Sequence, residues 1–189
     1  MLRKLLAELF PRQPATTSFA RFTAERIGQL IRKLLGEERH ADAERMLASR
    51  GDAESYLLAA DPKFRCAALL ALKNCWECDE RFGSLCERLA FDDPDVEVRS
   101  LALSCLAGFY AAADNTRVER LIAWIVYDSR EPRKIRVSAY QSLFIIRRMS
   151  LLRGARDALS EAFRVPEDID WAFVNSFFHV KQKSAFPFF

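Results

Sequence analysis

Cys75-Trp76-Glu77-Cys78 has the spacing of one half of a zinc site, and Cys66, Cys86 and Cys105 fall in the same region. A structural zinc site is closed by four Cys or His ligands, and the sequence offers neither a second Cys-x-x-Cys nor a His pair; His40 and His179 stand far apart. The cysteines therefore read as reduced, buried small hydrophobes, and a count of five fits a disulfide framework poorly. No Gly-rich phosphate loop, nucleophile elbow or Ser/His/Asp pattern occurs. The expectation is a protein that is not an enzyme, with no catalytic residue, metal or other cofactor.

A second constellation is electrostatic. Between residues 130 and 156 stand Arg130, Arg133, Lys134, Arg136, Arg147, Arg148, Arg153 and Arg156, against the single acid Glu131. Such a cluster suits an anionic partner, and Arg133, Lys134, Arg147, Arg148 and Arg153 are the candidates for nucleic-acid phosphates. Along a helix, the fourteen residues from Arg133 to Arg147 span about 20 Å. Arg147 and Arg148 also sit at an expected helix C-terminus, where positive charge is favoured in any case. Nucleic acid is thus the second choice of partner.

These residues sit on a chain of 189 residues, half hydrophobic and 29% charged, with a formal net charge of +3. That length supports one domain, 1–189, and the charge alone implies no polyanion. The start, MLRKLLAELFPRQP, lacks the long apolar run and small-residue cleavage site of a signal peptide. No segment is apolar enough to span a bilayer, so a cytoplasmic protein is expected. Apolar periodicity predicts helices over 1–10, 23–35, 37–50, 53–60, 62–77, 82–90, 94–112, 116–126, 133–148, 155–164 and 169–180. Gly36 is the expected C-terminal stop of the second, Asp52, Asp61 and Asp79 are expected caps, and Thr116 with Glu119 has capping-box spacing.

Three of these helices share a pattern, Arg-x-x-Ala-x-x-x-Leu: Arg65-Ala68-Leu72, Arg99-Ala102-Leu106 and Arg136-Ala139-Leu143, 34 and 37 residues apart. Each Arg follows an apolar residue (Phe64, Val98, Ile135), and a turn containing acid and Pro precedes it: Asp61-Pro62, Asp93-Pro94-Asp95, Glu131-Pro132. Periods of this size mean stacked helical pairs. The segment 53–149 resembles HEAT repeats, in which such a turn leads into a second helix beginning Val-Arg. The resemblance implies an all-α fold, a right-handed α-solenoid (superhelix) of about four to five antiparallel helix pairs. Residues 1–52 and 150–180 would be atypical capping helices, and 181–189 an irregular tail. Taking each Arg as the origin, a packing stripe follows from helical geometry. It holds Phe64, Ala68, Ala71, Leu72 and Cys75; Val98, Ala102, Cys105, Leu106 and Phe109; and Ile135, Ala139, Ser142, Leu143 and Ile146. The arginines read as a structural ladder, each within reach of a carboxylate at its own turn or in the adjacent unit, as Asp61 and Asp95 lie four residues before Arg65 and Arg99.

Some HEAT-like proteins are di-iron hydroxylases built on His-Glu motifs, which this sequence lacks. Another HEAT-like family excises alkylated DNA bases with aromatic residues and an Asp; Trp76, Trp124, Trp171 and Asp170 are the residues of those types here, but no local motif matches, Trp124 falls on a first helix facing away from such a groove, and the tryptophans read as core or edge residues. Away from the packing stripe the three repeat helices present Leu70, Ser104, Ala107, Val137, Gln141, Phe144 and Arg148, a row poor in charge. In stacked repeats this row lines the concave side. Two expectations follow: an open groove holding an apolar or amphipathic helix of a protein partner, or a groove covered by a terminal segment. The leading reading is a non-enzymatic adaptor, scaffold or chaperone-like module. The alternative is a DNA- or RNA-binding repeat protein, possibly a glycosylase of the alkylation-repair type.

Overall fold

A computed structural model describes residues 18–111, 113, 115–147 and 163–178, with side chains from residue 25 onward. The expected helix over 1–10, nearly all of that over 155–164, and the tail 181–189 lie outside the described residues. Among the described residues the chain is all-helical. The helices are α1 (Ser18–Leu35), α2 (His40–Ala48), α3 (Arg50–Tyr56), α4 (Pro62–Cys75), α5 (Glu80–Asp92), α6 (Val96–Phe109), α7 (Thr116–Tyr127), α8 (Arg133–Ile146) and α9 (Trp171–Asn175), with a 3-10 turn at Glu37–Arg39. Among the described residues no helix is long and apolar enough to cross a membrane. The chain divides into two compact units, Met1–Phe109 and Tyr110–Phe189.

In the first unit α1 ends where Gly36 takes φ 89°, a conformation that costs other residues strain. The helix expected over 37–50 is broken in two. Ser49 leaves helical geometry and its side chain accepts from the Asp52 N–H, so Ser49 caps α3, and Asp52, the expected cap, lies in the first turn. Asp61 and Asp79 cap α4 and α5 as expected, accepting from the Lys63 and Phe82 amides. Helix α4 is the centre of this unit, packed by α1, α2, α3 and α6. Phe64 to Leu72 are buried without a break, which follows from having neighbours on every side. Helices α5 and α6 pack through Phe82, Cys86, Leu89 and Ala90 against Val98, Ala102, Cys105 and Leu106, all buried.

The recurring arginines have a common task. Arg65 donates from Nη1 to the carbonyls of Ala59 and Ala60, 2.7 and 2.8 Å away. Arg99 donates from Nε to Ala90 O at 2.9 Å, and in the second unit Arg136 donates from Nε to Val126 O at 2.8 Å. Each guanidinium thus reaches back across its turn to carbonyls at or just beyond the end of the preceding helix, groups that a helix terminus leaves without internal partners. The carboxylate of Arg65 is Asp93, bound bidentately at 2.8 Å through both oxygens, and not Asp61. Asp61 is occupied as a cap, and Asp95 likewise accepts from the Glu97 and Val98 amides. Both partners of the Arg65–Asp93 pair are buried.

In the second unit the N-cap of α7 is Asn115, which accepts from Val118 N–H, one residue before the expected Thr116. Helix α8 buries Ile135, Ala139, Ser142, Leu143 and Ile146, the predicted stripe. The last predicted helix is short. Asp170 caps α9 by accepting from Phe173 N–H, and a turn follows from Ser176 to Phe178.

Candidate functional site

The row predicted to line a concave groove is not open. Leu70, Ala107, Val137 and Phe144 are buried, Ser104 and Gln141 are half-buried, and Arg148 lies outside the described residues. In the second unit the cover is the chain itself. Phe173 of α9 stacks on Phe144 with ring centroids 4.5 Å apart, and Tyr140 meets Phe144, Phe163 and Phe173 at 5.1, 5.8 and 6.2 Å. The sequence left open whether a terminal segment covers this row; spacing could not name the covering rings, because they come from a segment about thirty residues further along.

The arginine cluster is also largely committed within its own unit. Arg133 donates to Phe163 O, Arg136 to Val126 O, and Arg147 pairs with the buried Glu119 at 3.2 Å while lying 4.6 Å over the Phe177 ring. Arg130 pairs with Asp128 at 2.8 Å. Lys134 is half-buried, and Arg148, Arg153 and Arg156 lie outside the described residues. The predicted phosphate-binding set therefore does not form one free basic surface among the described residues.

All five cysteines are free; Cys66, Cys86 and Cys105 are buried, and Cys75 and Cys78 are half-buried. The Cys78 thiol is 3.7 Å from Lys73 O, so it is directed at the end of α4. Burial pushes the Cys66 thiol up to about 12 and raises Cys75 and Cys78 as well. Among the described residues no group of His, Cys, Asp and Glu is placed to hold a metal ion. His40 is exposed beside Glu44, and Trp76 donates to Met46 O at 3.4 Å within the first unit.

What the structure assembles instead lies on α7. Its inner face is apolar at helical spacing, with Val118, Ile122, Ile125 and Val126 buried. The opposite stripe runs Arg117, Arg120, Leu121, Trp124, Tyr127 and Asp128, residues separated by three or four positions and so on one side of the helix. Trp124 keeps 62% of its surface in water. Around it the chain after Pro166 brings more rings. Trp124 meets Phe178 edge-on at 5.3 Å and Tyr127 at 6.2 Å, while Tyr127 meets Trp171 at 4.8 Å and Phe178 at 5.6 Å. The rings are pinned by polar contacts: the Tyr127 hydroxyl bonds to Asn175 Oδ1, and the Trp171 indole donates to Pro166 O at 3.2 Å.

At one end of the stripe Asp128 accepts from the side chain and then the backbone of Arg130, which holds its carboxyl down at about 2. At the other end the Nε of Arg120 is buried with no hydrogen-bond partner, and no described carboxylate pairs with it. Ring centroids 4.8 to 6.2 Å apart leave no room for a ligand between the rings. No family model, curated protein or solved structure matches the chain. Sequence spacing missed this site because Trp124 and Trp171 are 47 residues apart. The available signal was Trp124 itself, a large apolar residue off the buried stripe of its own helix.

Proposed function

We propose that this protein is a non-enzymatic, HEAT-like helical-repeat module that binds a protein partner, and that the contact surface is the aromatic face of α7 around Trp124. The observation that carries the reading is the exposure of Trp124 within a ring cluster that contacts Phe178 and is tied to α9 through the Tyr127–Asn175 hydrogen bond. Covering a tryptophan exposed to that extent is worth about 3 kcal/mol, and Trp, Tyr and Arg are the residues that dominate binding energy at protein interfaces. The repeat reading draws on the shared arginine device of the three helix pairs and on the buried packing stripes. A right-handed solenoid is the arrangement that such pairs form when stacked.

The test uses the full chain carrying a photo-crosslinking residue at position 121, next to Trp124, or at position 58, also exposed, in nuclease-treated lysate. A discrete protein adduct formed from position 121 and lost on Trp124→Ala supports the reading. Adducts of nucleic acid, or adducts from 121 that persist in Trp124→Ala, overturn it.

A further inference from the structure

The packed helices α5 and α6 place two thiols in contact. Cys86 and Cys105 keep only 0% and 1% of their surface in water, and they hydrogen-bond to each other across the seam between the helices. We infer that Cys86 and Cys105 form a reversible dithiol switch, oxidised by a hydroperoxide to a disulfide that ties α5 to α6 and reduced again by a thiol. Beyond their contact, two further observations set this pair apart from the other three cysteines.

The first is a path to the sulfur. Cys105 and Gly108 are three residues apart on α6 and so lie on one side of it. A helical side chain covers the turn before its own Cα, so position 108 is the one that would roof Cys105, and glycine leaves it bare. Gly108 is exposed, and the half-buried Lys73 of α4 reaches across it: a Cβ at 108 would stand 3.8 Å from Lys73 Nζ and 3.9 Å from its Cε. A flexible ammonium chain over bare backbone can part for a molecule the size of hydrogen peroxide and still exclude a bulky reagent.

The second is the order in which the protons leave, because the thiolate is the nucleophile. Cys105 accepts from Cys86, which holds its thiol down against the opposing effect of burial, and the Lys73 charge acts the same way. Cys86, the donor of that bond and itself buried, is pushed up. Cys66 is raised by burial and then by Asp95 and Asp93, and the Cys78 thiol is directed at Lys73 O, 3.7 Å away. The Cys105 sulfur therefore attacks the peroxide O–O bond and keeps one oxygen as a sulfenic acid, while the other leaves as water carrying the Cys105 proton. The Cys86 sulfur then attacks the sulfenic sulfur and displaces its hydroxyl, which leaves as a second water with the Cys86 proton. Two electrons have passed from the sulfurs to the peroxide, and an external dithiol returns them by exchange. The bridge closes the loop through the α5–α6 turn, which restrains the unfolded chain of the first unit.

Hydrogen peroxide is the probe, applied to the native full chain. The expected result is an intact mass lower by two hydrogens, a bridge mapped to Cys86 and Cys105, and reversal by dithiothreitol, while a maleimide leaves both thiols unmodified in the native protein. The oxidised protein should show a higher urea midpoint for Cys66 labelling. Lys73→Met should slow bridge formation about tenfold, the effect of one pKa unit on the thiolate fraction, and Gly108→Leu should slow it by roofing the path. A urea midpoint for each variant separates slower chemistry from a loosened fold. A bridge that uses Cys78, oxygen addition without a bridge, or bridge formation that accelerates with urea in step with Cys66 labelling overturns the inference, as does a wild-type rate in both variants. These outcomes leave the reading of the Trp124 face untouched, since that face belongs to the other unit.

Discussion

Arg65 shows how much one side chain can fix. Its fork spans Asp93 and two carbonyls, and removing it strands a buried carboxylate. Arg65→Ala is expected to lower stability by about 3–5 kcal/mol, read as a fall in the urea midpoint, and Arg65→Lys by less because charge survives while the bidentate geometry does not. Asp128 behaves differently because it is at the surface. Its carboxyl is depressed to about 2 when folded, against about 3.9 in an unfolded chain, so its contribution is complete above the unfolded value and is lost as pH falls through the folded one. The stability gap between wild type and Asp128→Asn should therefore close between pH 4 and pH 2 in denaturant titrations. The sequence made the arginine ladder legible and left Arg65 a carboxylate at its own turn or in the adjacent unit; the structure takes the second, Asp93, because capping Lys63 N–H occupies Asp61.

At the level of the element, α4 to α8 were readable from capping and spacing to within a few residues, and the stripes from Phe64 to Ile146 are buried or half-buried as their period demands. What spacing cannot supply is the company a helix keeps. Leu70 and Phe144 are off the packing stripe, but α4 is surrounded and α8 is roofed by Phe173. Phe144→Ala should consequently cost about 3–5 kcal/mol, as a core ring does, where an open groove would leave it nearly neutral. Trp124→Ala, on the outer face of α7, should change stability by less than about 1 kcal/mol in the same denaturation experiment.

For the molecule as a whole, the chain's chemistry is divided between its units. All five cysteines belong to the first unit and the Trp124 cluster to the second. Thiol labelling at pH 8 should leave Cys66 unmodified in the native protein, since burial both hides the sulfur and holds it protonated. As denaturant rises, labelling of Cys66, Cys86 and Cys105 reports the opening of the first unit. Phe144→Ala should leave that midpoint in place while hydrogen exchange of residues 115–147 accelerates. A labelling midpoint that falls together with the exchange would show that the two units unfold as one.

The exposed indole also makes the protein its own optical probe. Trp76 and Trp171 are half-buried with their N–H groups bonded, whereas Trp124 faces water on a helix that carries Arg117 and Arg120. Its emission should lie to the red of the other two. Iodide, drawn to the arginines, should quench it more than caesium does, and an occupant of this face should shift the emission to shorter wavelength and shield it from both ions.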